Sequence, residues 1–173
     1  MLRGLAVVAF AILGCSSPPV AREPVVVAPT SPLARVDASV DLDGRPIGTS
    51  AAPTILIVMA SWCSHCHVQL AVLAEVREAY PATRILGINY KEHEEYDGRG
   101  NPQALRAYVA KTASWLRVIP ADDALFEVLG RPPKIPTVFV YDASGRLVAR
   151  FDRRDRAPPD ATELAALLRG LGA

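Results

Sequence analysis

Two apolar runs with one amphipathic stretch between them constrain this chain more than any other feature. The run PTILIVMA, residues 53–60, is rich in β-branched side chains and contains no charge. A strand with one face in water alternates polar and apolar residues, whereas an unbroken run marks a strand buried on both faces. TRILGINY, residues 83–90, reads as the next buried strand. Between the runs, Gln69, Val72, Leu73, Val76 and Tyr80 fall at i, i+3, i+4, i+7 and i+11, one face of a helix from about Cys63 to Tyr80, and Pro81 ends it. A strand, a helix and a second strand at this spacing form a βαβ unit with parallel strands.

The remaining segments extend that unit. ARVDASVDLDGRPI reads as a short strand and a turn at Asp43-Gly44. KEHEEYDGRG, residues 91–100, reads as a charged, glycine-bearing loop, with Glu92–Asp97 as a solvated stretch rather than a carboxylate–histidine metal cluster. It follows a parallel strand next to the one before Cys63, so it opens on the same sheet edge. NPQALRAYVAKTAS starts a helix with Asn101 as N-cap and Pro102 at N1. WLRVIP is a short strand, with Trp115 expected in the core, and DDALFEVLG is a short helix closed by Gly130. IPTVFVYDASGRLVARF gives a hairpin with its turn at Asp142–Gly145. In the last helix Asp160 and Glu163 resemble a capping box, and Leu164, Leu167 and Leu168 form the apolar face. The class is α/β with a mixed central sheet.

The N-terminus is read separately. Arg3 precedes the apolar run Leu5–Leu13, which is too short to span a bilayer and reads as an export signal. Its ending, Ile12–Cys15, resembles a bacterial lipobox, which implies that Cys15 becomes the first mature residue and carries a lipid. Ser16 stands where an aspartate would resemble an inner-membrane retention signal, so the resemblance leans to the outer membrane. The alternative is a soluble secreted protein. Residues 16–35 hold five prolines and little periodicity, as a semi-extended tether does. The expected organisation is a signal over 1–14, a tether over 15–35 and one domain over 36–173. With 173 residues, 50% of them hydrophobic, the chain has material for one core. A net charge of +1 gives no reason to propose nucleic acid or an anionic membrane surface as a partner.

If Cys15 is lipidated, only Cys63 and Cys66 of the three cysteines remain, both in ASWCSHCHVQLAVL, residues 60–73. An oxidising compartment favours a disulfide or a redox couple there. The pair sits where a buried strand ends and a helix begins. The unpaired N–H groups and positive dipole end of a first turn stabilise a thiolate, so the Cys63 pKa should be depressed. Cys63 is expected to be the exposed nucleophile and Cys66, one turn in, the buried resolving thiol. A purely structural disulfide would close a tiny loop and constrain the unfolded chain little. Metal binding is the other alternative. Cys63, His65, Cys66 and His67 cannot all converge, because successive helical residues point about 100° apart, but two cysteines and one histidine could hold copper. His67 reads as an exposed helix residue.

SWCSHC after a buried strand, with IPT about seventy residues later, resembles the thioredoxin superfamily, from about Val36 to the C-terminus. The export signal and ILGINYKE look most like its TlpA/ResA/DsbE group of membrane-tethered periplasmic thiol–disulfide proteins. The resemblance implies a thioredoxin fold with helices on both sheet faces, protein thiols and disulfides as substrates, a membrane or periplasmic redox donor, and no cofactor beyond the Cys63–Cys66 disulfide. It implies that Pro136 is cis and faces the cysteines, leaving the Ile135 backbone free to pair with an extended substrate beside Thr137. Trp62, Ser64, His65 and Gln69 would tune the couple. Thioredoxin itself has a buried aspartate at the position of Ile57, and the ResA-like group has a glutamate at that of Gln69, whose amide cannot take a proton at neutral pH. That absence weakens the role in apocytochrome c maturation that the group suggests. His65 resembles the oxidase DsbA in placing an imidazole before the second cysteine, which favours the thiolate and a more oxidising couple. The Pro-x-x-x-Thr context of peroxiredoxin-like peroxidases is missing.

Overall fold

The computed structural model describes residues 31–173. Cys15, the signal and most of the tether lie outside the described residues. The elements in chain order are α1 (Pro32–Asp37), β1 (Thr54–Val58), α2 (Ser64–Ala79), β2 (Arg84–Tyr90), α3 (Lys91–Glu94), α4 (Pro102–Thr112), β3 (Arg117–Ala121), α5 (Asp123–Val128), β4 (Thr137–Tyr141), β5 (Leu147–Phe151) and α6 (Ala161–Gly170), with one 3-10 turn over Tyr96–Gly98.

The sheet order is β3-β2-β1-β4-β5. β1 pairs parallel with β2, Ile57 opposite Gly87, and antiparallel with β4, Ile57 opposite Val138. All five residues of β1 are buried, which explains its unbroken apolar sequence. Side chains alternate between the two faces. Ile55 and Ile57 join Leu70 and Leu73 of α2, Leu105 of α4 and Leu164 and Leu168 of α6. Leu56 and Val58 join Leu33 and Val36 of α1 and Leu125 and Phe126 of α5. The mixed sheet thus carries helices on both faces, as the sequence resemblance implies.

The N-caps are local and conventional. Asn101, Asp122 and Asp160 each accept a backbone N–H three residues on. Glu163, the partner of Asp160 in the expected capping box, instead pairs with Arg156.

Two expectations are corrected at the start of the domain. The tether does not run to residue 35: Ser31 caps a helix with Pro32 at its first position, and Leu33 and Val36 are buried under the sheet. Pro32, the last of the prolines that suggest a linker, suits this helix because a first-turn residue needs no N–H partner. The strand expected over ARVDASV is absent as well. The turn forms, with Gly44 at φ +77°, but the flanks meet only at one antiparallel bridge, Val40 to Pro46. Asp41 holds the turn instead, accepting N–H groups of Asp43 and Arg45 and the Arg117 guanidinium. Trp115, expected in the core, is half-buried, with the Arg77 guanidinium 5.7 Å from its ring centre.

Topology gathers the chemistry at one edge. β1, β2 and β3 are mutually parallel, and β5 runs with them because two antiparallel pairings separate it from β1. Their C-terminal ends, and the N-terminal end of β4, therefore share an edge. The segments meeting there are 59–63, 91–101, 122–123, 131–136 and 152–160.

Candidate active site

Cys63 is the N-cap of α2, with its sulfur accepting the Cys66 N–H at 3.2 Å. The two cysteines are joined as a disulfide, with Cα atoms 5.2 Å apart. That hydrogen bond is one a Cys63 thiolate would strengthen, and the helix dipole acts in the same sense. Cys63 is 5% exposed and Cys66 fully buried. Cys63 is the more accessible of the two, but it is not freely exposed in the disulfide state. Ser64 and His65, which complete the loop between the sulfurs, are exposed.

The segment before Cys63 is fixed by a residue the sequence reading assigned to solvent. Glu94, inside the charged stretch after β2, is 2% exposed. Its carboxylate accepts the Ser61 N–H at 2.9 Å, the Ser61 hydroxyl, and the Asn89 amide at 2.8 Å. Asn89 also donates to the Met59 carbonyl at 3.1 Å. The solvated-loop expectation is corrected for Glu94: β1 ends beside β2, so the first turn after β2 lies against the first turn after β1. Gly100 closes the contact, since a Cβ there would overlap the Glu94 carboxylate and lie 2.6 Å from its carbonyl oxygen. The available signal was Asn89, an amide inside an otherwise apolar run. Nothing distinguishes Glu94 from its neighbours Glu92 and Glu95 along the chain.

Trp62 lies beside the site, as expected. Its indole N–H is shared between the carbonyls of His93 and Glu94, at 3.0 and 2.8 Å. Tyr96 stacks against its ring, and the Arg99 guanidinium sits 5.1 Å from its centre. Burial pushes the His93 imidazole below its ordinary pKa. His67 corrects another expectation. It is half-buried, its Nε2 lies 2.7 Å from the Ser61 carbonyl, and its ring stacks on Tyr108 at 4.4 Å. A carbonyl only accepts, so Nε2 carries the proton in that bond. Ser61 thus has its N–H, hydroxyl and carbonyl all engaged, two residues before Cys63.

Gln69 faces inward at 3% exposure, as its place on the helical stripe predicts. Its amide donates to the Pro159 carbonyl at 2.9 Å and so ties α2 to the loop before α6. Ile57, at the other position considered for an acid, is fully buried in the sheet.

Pro136 follows a cis bond from Ile135, as expected. It directly precedes Thr137, which pairs with Val58, so it stands at the sheet edge from which Cys63 emerges. Ile135 packs against the cluster containing both cysteines. Two details differ from expectation. The Ile135 carbonyl is not free but accepts Nη1 of Arg153 at 3.0 Å. Thr137 is fully buried with its hydroxyl bonded to the Lys134 carbonyl at 2.7 Å, so its side chain braces the turn rather than meeting a substrate.

The copper alternative needs a third ligand beside the sulfurs. Among the described residues no three His, Cys, Asp or Glu side chains are grouped so as to hold a metal ion, and His67 has spent its Nε2 on Ser61.

No family model matches the chain, and neither does any curated protein. Solved structures do. A secreted Mycobacterium tuberculosis disulfide oxidoreductase, homologous to Escherichia coli DsbE, is similar over 77% of this chain and 94% of its own, with 22% identity and a TM-score of 0.61. A thiol:disulfide interchange protein of the thioredoxin family from Chlorobium tepidum covers 78% of this chain and 91% of its own, with 19% identity and a TM-score of 0.63. StoA from Bacillus subtilis covers 75% and 92%, with 19% identity and a TM-score of 0.55. The chain therefore has the thioredoxin fold, and these structural neighbours include the kind of protein its sequence resembles.

Proposed function

We propose that the chain is a thiol–disulfide oxidoreductase acting on protein substrates, exported and held at a bacterial membrane by a lipid on Cys15. The observation that carries the activity is Cys63 at the N-cap of a sixteen-residue helix, its sulfur bonded to Cys66 and receiving the Cys66 N–H. A staple closing so short a loop adds little stability, whereas a sulfur held at a helix N-terminus is poised as a leaving and attacking group. Two structural neighbours of the same fold are a secreted disulfide oxidoreductase and a thiol:disulfide interchange protein, which supports both parts of the reading. The lipobox-like Ile12–Cys15 supports the anchor.

Exchange proceeds in two balanced steps. In the oxidising direction a substrate thiolate attacks Cys63 Sγ, the Cys63–Cys66 bond breaks and Cys66 leaves as thiolate. A second substrate thiolate then attacks the substrate sulfur of the mixed disulfide and releases Cys63 as thiolate. Two electrons pass from substrate to chain, and the reverse sequence reduces a substrate disulfide. Pro136, buried beside the site and without an N–H, flanks the approach. His65 and the helix terminus favour the thiolate and shift the couple toward oxidation. The redox partner is a membrane or periplasmic thiol–disulfide donor.

The test is reduction of a disulfide-bonded protein by the full chain with dithiothreitol as reductant. Wild-type turnover is expected to be lost in Cys63→Ala, and reduced Cys66→Ala, mixed with the substrate after the dithiothreitol is removed, should accumulate a mixed disulfide through Cys63. Full activity in Cys63→Ala would overturn the reading.

A further inference from the structure

The rim around the cysteine pair is electrically lopsided. On the side of β5, Asp152 at the end of the strand spends its carboxylate on the N–H groups of Arg154 and Asp155 and on Arg150. Glu163 pairs with Arg156. Among the described residues Arg153, Arg154 and Lys134 then have no carboxylate partner. Arg153 is held in place by two contacts, its own N–H on the Arg156 carbonyl at 2.9 Å and Nη1 on the Ile135 carbonyl at 3.0 Å. A guanidinium has five N–H donors in a planar fork, so this contact leaves most of them for another acceptor. On the side of β2, the exposed rim carries Glu92, Glu95 and Asp97, answered only by Lys91 at 3.8 Å and Arg99 at 4.0 Å.

A substrate approaching Cys63 passes between these flanks, because β1 lies between β2 and β4–β5 in the sheet. The carbonyl before the cis bond, one part of the Ile135 backbone expected to pair with a substrate, already accepts Arg153. What the β5 flank offers an incoming chain is therefore a positioned guanidinium, and the complement of that group is a carboxylate bound through two parallel hydrogen bonds.

We propose that Arg153 is a specificity-determining residue of the docking surface, and that the chain exchanges disulfides preferentially with polypeptides bearing Asp or Glu beside the reactive cysteine. The inference rests on the thiol–disulfide activity proposed above. A carboxylate on the opposite side of the substrate cysteine meets Glu92, Glu95 and Asp97 and is disfavoured, so the preference also sets the direction in which the substrate lies.

The experiment uses the reduced full chain and a set of single-cysteine peptides, each carried as a mixed disulfide with a coloured aryl thiol. The peptides differ only in having Glu, Gln or Lys flanking the cysteine. Cys63 attacks the peptide sulfur, the aryl thiolate leaves, and Cys66 then releases the peptide thiol. In wild type at low ionic strength the acidic peptide should react about tenfold faster than the basic one, and the ratio should shrink as salt is added. Arg153→Gln should bring the ratio near one, and Arg153→Glu should invert it. Equal wild-type rates for the three peptides, or a ratio unchanged in Arg153→Gln, overturn the inference while leaving the activity standing. The salt titration of wild type decides the matter if the variants do not fold. If neither the peptides nor a neutral dipyridyl disulfide is consumed, the activity itself fails and the inference falls with it.

Discussion

Glu94 links the charged turn after β2 to the backbone that leads into Cys63. Its carboxylate satisfies Ser61 N–H, Ser61 hydroxyl and Asn89 amide, all in a buried setting. Truncation leaves those donors without an acceptor, and each unsatisfied buried group costs about 1–3 kcal/mol. Glu94→Ala should therefore lower the stability of the oxidised protein by roughly 2–4 kcal/mol, read from urea unfolding. A change below about 0.5 kcal/mol, the size expected of an exposed loop residue, would show that the contact does not fix the segment. The residue scale is also where sequence reasoning was weakest. Cys63, Cys66 and Pro136 were legible because each sits at a change of element, a strand giving way to a helix or a turn to a strand. Glu94 and His67 were not, because burial of an individual polar side chain depends on which neighbouring turn lies against it. No local periodicity records that.

Among the elements, the strands and long helices were legible because their burial is periodic. β1 reads as an unbroken apolar run, β2 as a largely apolar one, and α2 reads through its inward stripe. The turn before β1 is held by distant polar contacts that no local pattern records. Asp41 is central to it, accepting N–H groups of Asp43 and Arg45 and the guanidinium of Arg117 in β3. Burial by itself would raise the Asp41 pKa, but the hydrogen bonds from Arg45, Arg117 and Asp43 outweigh it and bring the value from 3.8 down to about 2. A carboxyl whose folded pKa is depressed stabilises the fold above its unfolded value and loses that contribution as pH falls through the folded one. The contribution should thus be complete above about pH 4 and vanish toward pH 2. Because Arg45 and Arg117 are partly exposed, screening holds it to on the order of 1 kcal/mol. Asp41→Asn should be less stable than wild type at pH 6 and converge with it near pH 2 in paired urea titrations. A gap that stays constant across that range would assign the effect to packing rather than charge.

At the scale of the whole molecule, the sheet order does the assembling. Parallel β1, β2 and β3 and the return of β5 bring the helix-capping cysteine, the Glu94 turn, the cis Ile135–Pro136 bond and Arg153 to one edge. The general placement of this edge followed from the βαβ pattern. The occupation of the Ile135 carbonyl by Arg153 did not, since those residues are 18 apart in sequence and meet only through the hairpin. Neither position considered for an acid carries one: Ile57 is core and Gln69 braces Pro159. In the proposed function the thiolate therefore relies on the helix terminus and on exposed His65. The central claim, that Cys63 and Cys66 form a reversible redox couple tuned toward oxidation, is tested most directly by equilibrating the full chain in glutathione buffers and counting alkylated cysteines. We expect the two to change state together in a single two-electron transition between about −270 and −120 mV, the thioredoxin and DsbA ends of the scale. A couple as reducing as thioredoxin, at about −270 mV, would contradict the tuning, and a disulfide that stays intact to about −300 mV, as structural disulfides do, would contradict the couple itself.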